Sequence, residues 1–171
     1  RFANVSKPVL YRYFADKAQL WQAVGEQLAN VLVDTVVPTI ERVREERPLV
    51  AAAIDAYLAA LDASPDLYRS LMGRTSDGMA AVVAATSRTI AAALARVIDD
   101  RMRALGLDAA PAEPWAYGMV AMVQAVGDWW MTNDRAMPRA ALTDYLTTLL
   151  WNGIAGVRES ADPAHTAGVD R

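Results

Sequence analysis

The chain has 171 residues, a net charge of −3 and 54% apolar residues, which gives room for a real core and excludes a disordered chain. It has no cysteine, so disulfides and thiolate metal sites are excluded, which is compatible with a reducing, cytoplasmic setting without establishing one. No signal peptide is visible, and no apolar run approaches the roughly 18–20 uncharged residues of a membrane span.

Alanine, leucine and valine dominate, while glycine and proline fall at a few punctuation points, so the expected fold is all-α. The first stretch is Asn4-Val-Ser-Lys-Pro-Val-Leu-Tyr-Arg-Tyr-Phe-Ala-Asp-Lys17. Ser6 is a good N-cap and Pro8 sits in a first turn that needs no N–H from it. Leu10 and Phe14 are four apart and can pin a helix of about two turns to a core. Lys7, Pro8, Val9, Tyr11 and Tyr13 are left to look outward. The stretch is basic. Residues 1–17 carry four cations against Asp16, a net +3 that leaves −6 on the rest. A basic head on an acidic body suits a DNA-reading module, although four cations in seventeen residues also arise by chance.

Asp16 caps a longer helix, with Gln19 in capping-box spacing. Leu20, Val24, Leu28, Val31 and Leu32 form its apolar stripe, flanked by Trp21 and Val36. Pro38 should kink or end it. The run Glu41–Arg47 reads as a solvated helix end. Pro48 begins the next helix, through Ile54, Tyr57, Leu58 and Leu61. Ser64-Pro65-Asp66 starts a short helix holding Leu67, Tyr68, Leu71 and Met72, and Gly73 to Gly78 turns the chain. A long helix follows from Met79 to Leu105, with Gly106 at its C-cap. After a linker come two final helices, about Glu113–Asn133 and Pro138–Arg158. The tail from Ser160 should be disordered.

In the first of the final helices, Trp115, Met119, Met122, Val126 and Trp129 line one stripe. Gly118, Ala121 and Ala125 make a small-residue stripe where another helix can approach. In the second, Leu142, Tyr145, Leu146, Leu149 and Val157 are read as the inner face. Trp151 then falls on the opposite side with Asp144, Thr147, Thr148 and Arg158, as an exposed interface anchor or half-buried against the tail. Two such helices packed on their copies would make a four-helix dimer interface. Its candidate residues are Gly118, Ala121, Ala125, Asp144, Thr148, Trp151 and Ala155.

Val5–Lys17, followed by Ala18-Gln-Leu-Trp-Gln-Ala-Val24, resembles the end of the helix-turn-helix of tetracycline-repressor (TetR) family transcriptional regulators. The Leu-Tyr-x-Tyr-Phe-x-x-Lys core with its Val-Ser start carries the resemblance. It implies a homodimer, mostly a repressor, with a small-molecule inducer pocket in a helical body and a palindromic double-stranded DNA operator. It also implies a first helix and most of a second ahead of Arg1. Residues 1–38 would then be the end of the reading head and its connecting helix, 39–159 the ligand-binding and dimerisation body, and 160–171 the tail.

By position in that family, Lys7, Pro8 and Val9 meet base edges, and Tyr11, Tyr13 and Lys17 contact phosphates. Ser6 caps the reading helix and Arg12 is a further candidate contact. The side-chain chemistry agrees. Lys7 can donate to guanine, Pro8 and Val9 can pack on a thymine methyl, and the two hydroxyls and Lys17 suit phosphate. Pocket candidates are Tyr57, Leu61, Tyr68, Met72, Met119, Met122 and Trp129, walls that suit an apolar or aromatic effector. Each is also an ordinary core residue. An enzyme is not expected. The sole histidine, His165, lies in the tail, and no Glu-x-x-His pair, phosphate loop or nucleophile elbow occurs. No metal or cofactor is called for. The competing reading is a helical dimerisation or ligand-binding module without DNA-binding activity.

Overall fold

A computed structural model describes residues 17–63, 65, 66, 68 and 77–160. Five long helices make up this region: α1 Lys17–Arg42, α2 Glu46–Asp62, α3 Asp77–Ala104, α4 Ala112–Thr132 and α5 Arg139–Ser160. No strand occurs among the described residues. The chain is all-α, as its composition implies.

Helix α1 is buried along Gly25, Leu32, Val36 and Ile40, positions mostly four apart. Val31, expected in that stripe, is 42% exposed. The helix passes through Pro38 and stops only at Arg42. Proline removes the donor that would serve the Asp34 carbonyl. Asp34 is exposed, so water can replace that bond. The hydroxyls of Thr35 and Thr39 donate back to the carbonyls of Val31 and Thr35 across the same turns.

Helix α2 starts at Glu46, which places Pro48 in the first turn, where N–H groups have no helical partner. Its buried row is Leu49, Ile54, Tyr57, Leu58, Ala60 and Leu61. Each large side chain contributes about 1.5–3 kcal/mol by leaving water. The Arg101 guanidinium of α3 donates to the carbonyls of Val43 and Arg44, fastening the α1–α2 link. Helix α3 ends as its sequence predicts. Gly106 adopts φ +71°, and the amides of Leu107 and Gly106 donate to the carbonyls of Met102 and Arg103, a Schellman closure.

Helix α3 packs on α1 and α4, and α2 packs on α1 and α5. The segment Gly78–Ala104 is long and apolar enough to cross a membrane by length and composition, with a mean hydropathy of 1.5, although Arg88 and Arg96 interrupt it, so no uncharged run of spanning length occurs in it. Its Thr86, Ser87 and Thr89 hydroxyls cap their own helix's carbonyls, which lets polar residues sit in an apolar stretch.

The last two helices differ in rotation from the sequence reading. In α4 the deeply buried tryptophan is Trp130, 1% exposed, while Trp129 is 42% exposed and Met122 also faces outward. Trp130 is held by its indole N–H, which donates to the Met137 carbonyl at 2.8 Å. Within the chain, the close helix approach occurs at Gly127. A Cβ there would lie 2.9 Å from Tyr57 Cε1 and 3.1 Å from Leu61 Cδ1, whereas one at Gly118 would meet nothing. In α5 the inner face is Leu142, Leu146, Thr147 and Leu150. Tyr145 and Leu149, expected inside, are 64% and 60% exposed, and Trp151 is half-buried in the single chain. Helix α5 continues to Ser160, past the expected end at Arg158. The expected domain boundary at residue 38 falls within the unbroken α1.

Candidate functional site

Two neighbouring cavities, both partly open to solvent, lie among the helices. The outer one has a volume of about 660 Å³, within the usual range of small-molecule sites. Its walls come from Gly25 to Leu32 of α1, Met79 to Thr86 of α3 and Gln124 to Thr132 of α4, with Tyr57 and Tyr68. The inner one is small, about 70 Å³, and almost wholly apolar. It lies among Val36, Ile40, Ile54, Ile90, Leu94, Met119, Val123 and Leu150. Tyr57 and Gln124 belong to both linings and so form the partition between them.

The polar groups of the outer cavity are few. The Tyr68 hydroxyl donates to Asp128 Oδ1 at 3.4 Å, a long bond that leaves the carboxylate with spare acceptor capacity. The Gln124 amide donates to the Ser87 hydroxyl oxygen at 2.6 Å, which fixes the amide at the partition. Burial pushes the Tyr57 hydroxyl well above the usual tyrosine pKa, and the neighbouring Tyr68 and Asp128 push it further. Burial and then the Asp128 charge do the same to Tyr68. Both phenols therefore stay neutral donors throughout the ordinary pH range.

Of the pocket residues expected from the sequence, Tyr57 and Tyr68 line the outer cavity, and Met119 and again Tyr57 the inner. Leu61 is sealed in the core at 1% exposure and lines neither. Met122 and Trp129 sit on the outer surface of α4, because the helix turns its other side inward. Met72 lies outside the described residues. The sequence reading missed the α1 wall of Leu28 and Leu32, together with Gln124 and Asp128. The last two carried a usable signal, since two polar residues four apart on an otherwise apolar helix share one face.

The exposed face of α4 carries Tyr117, Gly118, Ala121, Met122, Ala125 and Trp129. That of α5 carries Asp144, Tyr145, Thr148 and Leu149. Five of the seven interface candidates are thus exposed here, Trp151 is half-buried, and the Ala155 side chain is outside the described set. Ser6, Lys7, Pro8, Val9, Tyr11, Arg12 and Tyr13 also lie outside the described residues. Lys17 is the first residue of α1. Among the described residues no cluster of carboxylates or histidines could hold a metal.

An all-helical body with a pocket among its helices, preceded in sequence by a basic N-terminal segment, is the layout of a helical regulator. The family description "Tetracyclin repressor-like, C-terminal domain" matches residues 37–166. The chain belongs to the tetracycline-repressor family of DNA-binding transcriptional regulators. It is 36% identical over 158 residues to an uncharacterized HTH-type transcriptional regulator of Mycobacterium tuberculosis H37Rv, Rv0472c, covering 92% of this chain and 67% of that one. The same figures hold for the counterpart in strain CDC 1551. It is also 28% identical over 155 residues to the HTH-type transcriptional activator FasR of Mycolicibacterium smegmatis, covering 91% and 71%.

Proposed function

We propose that this chain is a homodimeric, cytoplasmic regulator that binds a palindromic operator and acts as a repressor released by an apolar or aromatic small molecule. The observation that carries this reading is the double role of α1. The helix follows directly on the segment of Lys7, Tyr11 and Tyr13, and its residues Gly25 to Leu32 are a wall of the 660 Å³ cavity. Any ligand that fills the cavity presses on the helix that carries the reading segment. In this reading Lys7, Pro8 and Val9 meet bases, while Tyr11, Tyr13 and Lys17 hold phosphates. The exposed apolar residues of α4 and α5 pair with a second copy, which sets two reading heads at a fixed spacing.

The test is a gel shift of the full-length protein on DNA upstream of its own gene, with salt varied. A salt-sensitive shift on a palindromic fragment is expected. The absence of any shift would instead favour the dimerisation or ligand-binding module without DNA function. A second reading, an activator, draws on the activator named among the relatives. A promoter fusion separates the two: deletion of the gene raises expression for a repressor and lowers it for an activator.

A further inference from the structure

Asp128 is the one formally charged side chain among the described residues that line the outer cavity. No described cation is within ion-pair distance of it, and its bond from Tyr68 is long. The Tyr57 side chain is 7% exposed and lines the same cavity. Its ring edge is fixed against Gly127 on α4, one residue before Asp128. The remaining polar groups are already engaged with the protein: Thr86 with the Val82 carbonyl, Thr132 with those of Asp128 and Trp129, and Gln124 with Ser87. The rest of the wall is aliphatic, chiefly Leu28, Leu32, Met79 and Val82.

We propose that the cavity takes a non-anionic amphiphile whose head group donates a hydrogen bond to Asp128 and meets the Tyr57 hydroxyl, with its apolar body against Leu28, Leu32 and Val82. The proposal rests on the reading of this cavity as the effector site and adds the chemical class of the effector. An alcohol satisfies both partners, because it donates to the carboxylate and accepts from the phenol. An ammonium donates to both oxygens and gains the charge attraction as well. A carboxylate can donate to neither and is repelled by the Asp128 charge.

The experiment is calorimetric titration of the full-length protein with three probes that share one flexible tail: decan-1-ol, decylamine and decanoate, each below its aggregation threshold. The alcohol and the amine should bind about tenfold or more tighter than decanoate. Asp128→Asn removes the repulsion and should close most of that gap. Tyr57→Phe keeps the ring in the partition and should weaken both decan-1-ol and decylamine by several-fold. Ala29→Trp, which fills the cavity from the α1 wall, should abolish binding of all three, with helicity checked by circular dichroism. Decanoate binding as tightly as the other two, still blocked by Ala29→Trp, overturns the head-group assignment and leaves the effector site standing. Binding that Ala29→Trp does not block, or no binding at all, overturns the effector site itself.

Discussion

Gly127→Ala tests whether the partition between the two cavities is packed as described. Two opposing quantities set the result. Replacing glycine by alanine inside a helix is worth about 1 kcal/mol in propensity. Against that, the new methyl would stand 2.9 Å from Tyr57 Cε1 and 3.1 Å from Leu61 Cδ1. Neither neighbour can give easily, since Leu61 is 1% exposed and Tyr57 7% exposed. Overpacking of this kind costs about 1–3 kcal/mol. The net is a destabilisation of about 0–2 kcal/mol. Gly118→Ala supplies the control, because its methyl would meet nothing within 4 Å and only the propensity gain remains. The two variants should therefore differ by about 1–3 kcal/mol in urea unfolding, a gap free of the shared propensity term. Measured across protein concentrations, Gly118→Ala also reports on the dimer: a stabilising effect that turns destabilising as dimer forms means that a partner helix lies close there. Gly127→Ala as stable as Gly118→Ala would refute the close approach of α4 to α2.

The other outcomes follow from the same geometry. Leu149→Glu, a change at a 60% exposed site, should leave the helices intact and convert dimer to monomer by light scattering, and an unchanged dimer would move the interface elsewhere. Tyr57 and Tyr68 both have pKa values raised in the folded chain, so below about pH 10 both states hold these protons and nothing is lost. Above it the unfolded chain releases them first, and stability should fall with rising pH by up to about 1.4 kcal/mol per unit for each tyrosine; a denaturation midpoint flat from pH 9 to 11 would contradict their burial. Lys7→Ala should relax base preference by about 1–3 kcal/mol, whereas Tyr11→Phe should weaken all DNA equally, and anisotropy on matched and mismatched operators distinguishes them. Arg101→Ala removes two hydrogen bonds to the α1–α2 link, and in effector titrations should preserve ligand affinity while reducing operator release.

The parts of the fold that depend on local chemistry were readable in the residues. Gly106 closes α3 because only a residue at ease with positive φ fits there, and Pro48 marks the first turn of α2 because that turn needs no donor. The rotation of α4 and α5 was not readable. Helix α4 is apolar on nearly every side, so its periodicity cannot choose between Trp129 and Trp130 as the inward residue. The choice is made by tertiary partners: Gly127 lets α4 lie against Tyr57 and Leu61, and that contact turns Trp130 inward to the Met137 carbonyl. In α5, Tyr145 and Leu149 look like core residues in composition, but Leu146 and Leu150, one position further on, form the row that meets α2. The same ambiguity hid the cavity. Its α1 wall is made of Leu28 and Leu32, residues that a sequence can only assign to core, and a void is a property of what neighbouring helices fail to fill.

The placement of that void on α1 bears on how a ligand could reach DNA. The C-terminal end of the helix is fastened, with Ile40 2% exposed, the adjoining link held by Arg101, and Glu41 within 3.7 Å of Arg96. Cavity residues Gly25 to Leu32 lie toward the other end, and Lys17 begins the helix. At 1.5 Å of rise per residue, Leu28 is about 18 Å and Lys17 about 35 Å from Ile40. A rigid helix pivoting at its fastened end therefore doubles the displacement, and a wall shift of about 1 Å at Leu28 becomes about 2 Å at Lys17. Shifts of that size disrupt hydrogen bonds to base edges, which tolerate only a few tenths of an ångström. Rigidity is needed for this, yet Pro38 removes a hydrogen bond beside the pivot and keeps the bend local to it. A ligand that fits the displaced wall about 100-fold better than the resting one would supply about 2.7 kcal/mol toward operator release.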